Sequence, residues 1–360
     1  MKTNQLILIA AAVTALTACT KETLGNQPEF NTDQAEIGFQ AIAQKATKAN
    51  DAIITGTTYD TDNTFKVWGW QSPAADFSEF ADDAASNFMS NLEISWTKGR
   101  DDSKAEAWRN AANYYYWPFT GKISFLAVHP STVAPSTTGW DATNDLPKAT
   151  FADYTISDAN KTVDLMLANR AETRESVPGT GVAMVFNHAL SQIEVKVKTD
   201  EDYSADNIVF DVESVAFNNI DLSGDLAYAN NAFTWNDNTT QTENWPYYST
   251  VLANINDEYQ VYGAANVMIP QPANEDLSKL DPSDANYDAD DVPTTLTIGY
   301  SMQQGSNAKI TGTVTVAAPQ EWQAGKKYNY TINSKLKEII FNPSVTNWVD
   351  VNVTTINIFD

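Results

Sequence analysis

The chain is poor in the side chains that most enzymes work with, holding a single Cys and 2 His in 360 residues. One cysteine excludes an intrachain disulfide, and the three residues together cannot supply a zinc site of the usual Cys/His kind. Groups that act as bases near neutral pH are correspondingly few. Positive charge is scarce as well: 22 Lys and Arg face 46 Asp and Glu, a net charge of -24. Such a chain repels phosphate backbones and has no basic stripe, which excludes nucleic acid as a partner. No Gly-x-Ser-x-Gly, His-Glu-x-x-His, P-loop or dinucleotide glycine pattern occurs. His129, in Val128-His129-Pro130, and His188, alternating with Phe186, serve no visible nucleophile and read as structural histidines. No cofactor is implied, and the chain reads as a non-enzyme.

What is present is apolar and aromatic bulk. Hydrophobic residues make up 42%, with 10 Trp, 15 Tyr and 15 Phe, enough to fold the length as two domains with a core each. The N-terminus carries Lys2 and then the apolar stretch Leu6 to Val13, too short to span a bilayer and fitting a secretory signal. Leu16-Thr17-Ala18-Cys19 resembles a bacterial lipobox, so residues 1–18 are expected to be removed and Cys19 acylated. Acyl chains stabilise anchoring by about 0.8 kcal/mol per buried CH₂. Thr20 to Asp33, polar and without apolar period, reads as a tether.

From Glu36 onward the pattern is that of an all-β sandwich protein. Ile37, Phe39, Ala41 and Ala43 alternate with Gly38, Gln40 and Ile42, and a second strand follows at Phe65 to Trp70, with Trp68 and Trp70 implying that both its faces are covered. Phe77, Phe80, Ala84 and Phe88 fall at helical spacing behind a capping Asp76 or Ser78. Strands are expected at Leu92 to Trp96, Tyr114 to Trp117, Lys122 to Val128, Phe151 to Ile156 and Thr162 to Leu167, with Ala134 to Pro147 as a surface loop. The polar segment Ala168 to Gly181 marks a boundary, dividing a domain 49–175 from a domain 176–360. Beyond it, strands are expected at Val182 to Lys198, Ile208 to Phe217, Leu226 to Trp235, Val261 to Ile269, Thr294 to Tyr300, Ile310 to Val316 and Lys327 to Leu336. Trp348 to Val353 and Ile356 to Phe359 close the chain.

Two further features invite a ligand. Asp284, Asn286, Asp288 and Asp290 alternate as the first ligands of a calcium loop do, but Ala289 stands where the turn glycine belongs and Thr295 where the closing Glu belongs, favouring a solvated loop. The run Asn113-Tyr114-Tyr115-Tyr116-Trp117-Pro118 offers a sugar-stacking platform or, more commonly, core, and Trp117 and Trp140 are the residues whose substitution tests ligand capture.

The lipobox, Ile37 to Ala41 followed by Ala46-Thr47-Lys48-Ala49, Phe65-Lys66-Val67-Trp68-Gly69-Trp70, and Tyr115-Tyr116-Trp117-Pro118 leading to Ile123 to Pro130 occur in an order that resembles the fimbrillin family. Val185 to Ile193, Met268-Ile269-Pro270-Gln271-Pro272, Trp322 to Thr331 and Val345 to Trp348 extend the likeness over nearly the whole chain. These are Mfa-like lipoproteins that form type V pili in Bacteroidia-type bacteria. The resemblance implies two tandem transthyretin-like β-sandwich domains with a few short helices, exported as an outer-membrane lipoprotein precursor to a cell-surface fimbrium. It further implies partners that are other pilus subunits, and assembly by donor-strand exchange. In that scheme residues 19–48 are tether and first strand. The strand carrying Ile37, Phe39 and Ala41 leaves after cleavage at Lys45 or Lys48, and Val349, Val351, Val353, Ile356 and Ile358 of another subunit fill the groove. An Arg is usual at the cut, whereas the first Arg here is Arg100; uncut, the protein is an anchor or tip accessory. The alternative from another class is a non-polymerising surface lipoprotein that binds glycans or host protein.

Overall fold

A computed structural model describes residues 36–43, 59–74, 76–99, 106–177, 181–237, 243–272, 294–318, 321–335 and 339–347. It is an all-β molecule. Its first half supplies strands β1 (Phe39–Ala43), β2 (Phe65–Ser72), β3 (Met89–Thr97), β4 (Ala107–Arg109), β5 (Lys122–His129), β6 (Thr137–Asp141), β7 (Leu146–Thr155), β8 (Met166–Glu172) and β9 (Val182–His188). Then come β10 (Ser191–Thr199), β11 (Ile208–Ile220), β12 (Ser223–Ala229), β13 (Ala232–Asp237), β14 (Glu243–Tyr248), β15 (Gln260–Val261), β16 (Asn266–Met268), β17 (Thr295–Gln304), β18 (Ile310–Ala317), β19 (Lys326–Ser334) and β20 (Ile339–Asn347). Among the described residues the one helical element is a 3₁₀ turn, Tyr203–Asp206, capped by the Asp202 side chain.

Seven strands close into a barrel in the order β1-β4-β3-β2-β5-β8-β9. Its interior is aromatic: Phe39, Phe65, Phe125 and Phe186 are all essentially inaccessible, and Phe39 meets Phe65 and Phe125 edge-on at 6.1 and 5.2 Å. As the paired Trp residues imply, β2 is covered on its other face too, where Trp70 packs on Trp140 at 6.0 Å. Trp140 belongs to the sheet β13-β12-β7-β6. A β-sandwich follows, in which the sheet β15-β10-β19-β20 faces the sheet β14-β11-β17-β18. Ile193, Val195, Val197, Tyr330 and Ile332 meet Val212, Val215, Phe217, Leu296 and Ile298 across it, with Phe217 edge-on to Tyr330 at 5.1 Å.

Three expectations change. Phe77 to Phe88 forms turns instead of a helix: Asp76 accepts from Ser78 in a local side-chain turn, Asp83 takes φ 61, and Phe77 and Phe80 converge on Trp140. The apparent helical spacing came from Phe77 and Phe80 sharing Trp140 while Phe88 packs on Tyr115. Ala134 to Pro147 is not a loop, because Thr137–Asp141 pairs with β7 and buries Trp140 completely. Tyr114 to Trp117 contributes only the bridge from Tyr116 to Glu36. β8 runs to Glu172 and pairs with β9 in the barrel, and β7 pairs with β12. The outer end of β8 is half exposed.

Candidate functional site

β1 is the place where the barrel is made from a short, separable piece of chain. Phe39 to Ala43 run parallel to Val182 to Phe186, in register along β9. On the other side only Phe39 pairs with Trp108 of β4, and Ile37 N–H donates to the Tyr115 carbonyl at 2.7 Å. Parallel pairing needs a long connection between the two strands, and here it joins positions more than a hundred residues apart in sequence. The strand therefore sits between two partners that it does not share a hairpin with.

Its side chains are those of a plug. Ile37, Phe39 and Ala43 are buried, whereas Ala41 is half-buried. Beneath Phe39 the cage continues with Tyr59, which stacks on Phe186 at 5.3 Å and meets Trp108 edge-on at 5.0 Å. The Tyr59 hydroxyl lies 2.5 Å from His129 Nδ1, which also faces the Thr64 carbonyl at 3.1 Å. Burial, with the Asp164 charge, pushes the Tyr59 hydroxyl far above its ordinary range, and burial lowers the His129 imidazole. His188 Nδ1 pairs with the buried Asp164 carboxylate at 2.7 Å. Both histidines are thus polar fixtures of the barrel, as expected.

At the mouth, two features receive the strand. Gly181 has φ +105, and a Cβ there would lie 2.6 Å from the Gly38 carbonyl oxygen, so only glycine lets the β1 backbone approach for the Val182 N–H to Gly38 carbonyl bond of 2.8 Å. Arg109 of β4 reaches back over β1: its Nε lies 3.2 Å from Glu36 Oε1, and its guanidinium would be 3.6 to 3.8 Å from a Cβ on Gly38. An Nη1 hydrogen donates to the Thr97 carbonyl at 3.2 Å. Both side chains of the pair are largely buried, Arg109 at 13% and Glu36 at 4% exposure, where such pairs are weakly screened.

Of the sequence-derived residues, the structure gathers Ile37, Phe39 and Ala41 on this strand. Cys19, Lys45, Lys48, Asp284, Asn286, Asp288, Asp290, Val349, Val351, Val353, Ile356 and Ile358 lie outside the described residues. Of the expected stacking run, Trp117 is buried at 6%, edge-on to Phe125, and is core, as is Trp140 at 0%, whereas Tyr115 and Tyr116 are half-buried and Tyr114 is exposed. Arg109, Glu36 and Gly181 escaped the sequence reading. The short alternation Ala107-Trp108-Arg109 was too brief to register as a strand among its polar neighbours. No cluster among the described residues is suited to a metal, and none of their helices is long and apolar enough to cross a membrane.

A fimbrillin-like family model matches residues 46–348. The chain belongs to the fimbrillin-like family. Among solved structures, a fimbrial protein from Bacteroides vulgatus is similar at 19% identity and TM-score 0.58, covering 87% of this chain and 99% of that one. A candidate cell adhesion protein from Bacteroides uniformis is similar at 15% identity and TM-score 0.49, covering 90% of this chain and 100% of the other. At such identities the first likeness shows that a fimbrillin-like chain and a fimbrial protein share a fold. No curated protein matches the chain.

Proposed function

We propose that the chain is a structural subunit of a surface pilus, exported as a lipoprotein acylated at Cys19 and assembled by strand replacement. Two tandem transthyretin-like domains form the plan of the subunit, the first built on the barrel and the second on the sandwich. Cleavage at Lys45 or Lys48, two or five residues beyond the end of β1, frees the strand to leave with its lipid. The apolar C-terminal segment Val349 to Phe359 of another subunit then takes its place. Backbone hydrogen bonds supply affinity and alternating side chains supply register.

The observation that supports this reading is the position of β1 as an inserted strand. Its departure opens a barrel between β4 and β9, uncovering unpaired N–H and C=O groups and an aromatic cage. Such a groove is costly in water until another strand fills it. The lack of an Arg before Arg100 favours a second reading, an uncut subunit that anchors the fibre.

Intact mass and N-terminal sequence of the surface protein separate the two. A chain that begins after Lys45 or Lys48 without lipid supports the polymerising subunit, and one that begins at acylated Cys19 supports the anchor. Deletion of Val349 to Asp360 is expected to leave a folded, exported protein that no longer extends fibres; fibres of normal length overturn the strand-replacement mechanism.

A further inference from the structure

We propose that the end of the barrel beside the start of β1 rests on the lipid surface that holds the anchored chain, with Tyr114 and Phe119 seated at the headgroup level; the inference rests on the reading of Cys19 as acylated. Between Arg109 and Lys122 run twelve residues, Asn110 to Gly121, with no acid and no base among them, in a chain that carries 46 Asp and Glu. Five of the twelve are aromatic: Tyr114, Tyr115, Tyr116, Trp117 and Phe119.

The fold divides these rings into an anchor and two tips. Trp117 is buried edge-on against Phe125 at 5.9 Å and holds the middle of the segment in the barrel. Asn110 Nδ2 donates to the Glu93 carbonyl at 2.8 Å, and its Oδ1 accepts from the Asn113 N–H at 2.7 Å, which fixes the turn that carries Tyr114. Tyr115 packs edge-on to Phe88 at 5.8 Å. Gly121, at φ +92, closes the segment onto β2, where a Cβ would run into the Ser72 carbonyl oxygen. What points outward is apolar: Phe119 is 66% and Tyr114 39% exposed, and the Arg174 guanidinium lies over the Phe119 ring at 5.7 Å. Aromatic tips beside a cation, on a base that cannot fold them away, match a membrane interface, where rings sit among headgroups and a guanidinium finds phosphate oxygens. At the same end Glu172 is held by Arg170 and Ser176 while Glu175 is exposed, so zwitterionic lipid suits this face better than anionic lipid.

The place where the chain enters the barrel selects this partner. Ile37 N–H donates to the Tyr115 carbonyl at 2.7 Å, and Glu36 bridges to Tyr116, so β1 begins inside the aromatic segment. Seventeen peptide steps link Cys19 to Glu36; at about 3.5 Å each, they keep the acyl chains within about 60 Å of this face. A tether of that reach lets any side of the protein turn toward the lipid. The uncharged aromatic end is the side that gains by doing so, because charged surface on a chain of net charge -24 is better left in water. Docked this way, β1 leads away from the lipid. From Glu36 to Ala43 it covers about 23 Å along the strand, and from that far end the chain goes on to Lys45 and Lys48. The docked face therefore holds the start of the strand against the membrane and turns its cleavable end outward.

The test labels the two ends of the barrel. With Cys19 acylated through its sulfur the full-length chain has no free thiol. Thr120→Cys, in the exposed tip beside Phe119, and Thr61→Cys, in the exposed turn before β2 at the opposite end, therefore each accept one fluorophore. The acylated proteins are reconstituted through their own anchors into vesicles of phosphatidylcholine and phosphatidylethanolamine, with and without acyl chains brominated near the headgroup. Bromine is expected to remove about half of the emission at 120 and none at 61. Phe119→Ser combined with Tyr114→Ser, at exposed positions outside the core, is expected to abolish the quenching at 120 without releasing the protein from the vesicle. A label at 120 as bright in bromolipid as one at 61 overturns the proposal, and so does quenching at both sites or quenching that survives the double substitution. A 120 label that responds to protein density on the vesicle but not to bromine makes this face a contact between copies and overturns the proposal as well. Intact mass keeps the two ideas apart. A chain without acyl groups on Cys19 overturns the anchored reading and the docking with it, whereas an acylated chain with an unquenched label at 120 overturns the docking alone.

Discussion

His129 and Phe39 show how differently single residues serve the same barrel. His129 is buried against Tyr59, and burial depresses its imidazole below the ordinary histidine range. The unfolded chain therefore binds a proton more readily than the folded one between the lowered value and about pH 6.5. Stability is full above that range and falls as pH drops through it, at up to about 1.4 kcal/mol per pH unit. Melting temperatures measured from pH 7.5 downward are expected to decline, and His129→Leu to flatten the decline. Phe39 contributes through contact alone, edge-on to Phe65 and Phe125. Phe39→Ala is expected to cost the uncut protein about 3–5 kcal/mol in denaturant unfolding. The same substitution should leave the assembled fibre's stability unchanged, because β1 is absent from it under strand replacement.

Elements were legible in the sequence wherever alternation was long. β5, β11 and β19, each eight residues or longer with apolar residues at alternate places in part of their length, were expected within a residue or two of where they lie, except β11, which runs three residues further; Val182 to Lys198, expected as one strand, is instead β9 and β10, separated after His188. β4 and β6, at three and five residues, give no such period and are strands only because a neighbour supplies hydrogen bonds. β1 was legible but its partners were not, since nothing local tells a strand that it will pair with one far along the chain. The same limit hid the central ion pair of the sandwich. Glu194 of β10 and Lys327 of β19 sit on parallel neighbours with Nζ to Oε2 at 2.7 Å, and Lys196 adds a second cation at 3.0 Å. Burial opposes the Glu194 charge, yet hydrogen bonds from Lys327 and then Lys196 hold its carboxyl below the usual range. Lys327→Met removes the buried partner and is expected to destabilise the protein by about 3 kcal/mol, measured by urea unfolding.

Across the whole molecule, barrel and sandwich are tied by the sheet β13-β12-β7-β6, whose hairpins come from opposite halves of the chain. Trp140 on that sheet packs against barrel residue Trp70, and Trp235 Nε1 donates to the Ala189 carbonyl between β9 and β10. The barrel's closing strand gives this body a mechanical character. A pull along β1 loads its hydrogen bonds to β9 together, in shear, whereas a pull away from β4 breaks a single paired residue, Phe39 with Trp108, and peels. Any strand seated in β1's place inherits that anisotropy. A junction made through such a strand resists a pull along the strand far better than prying from the side of β4.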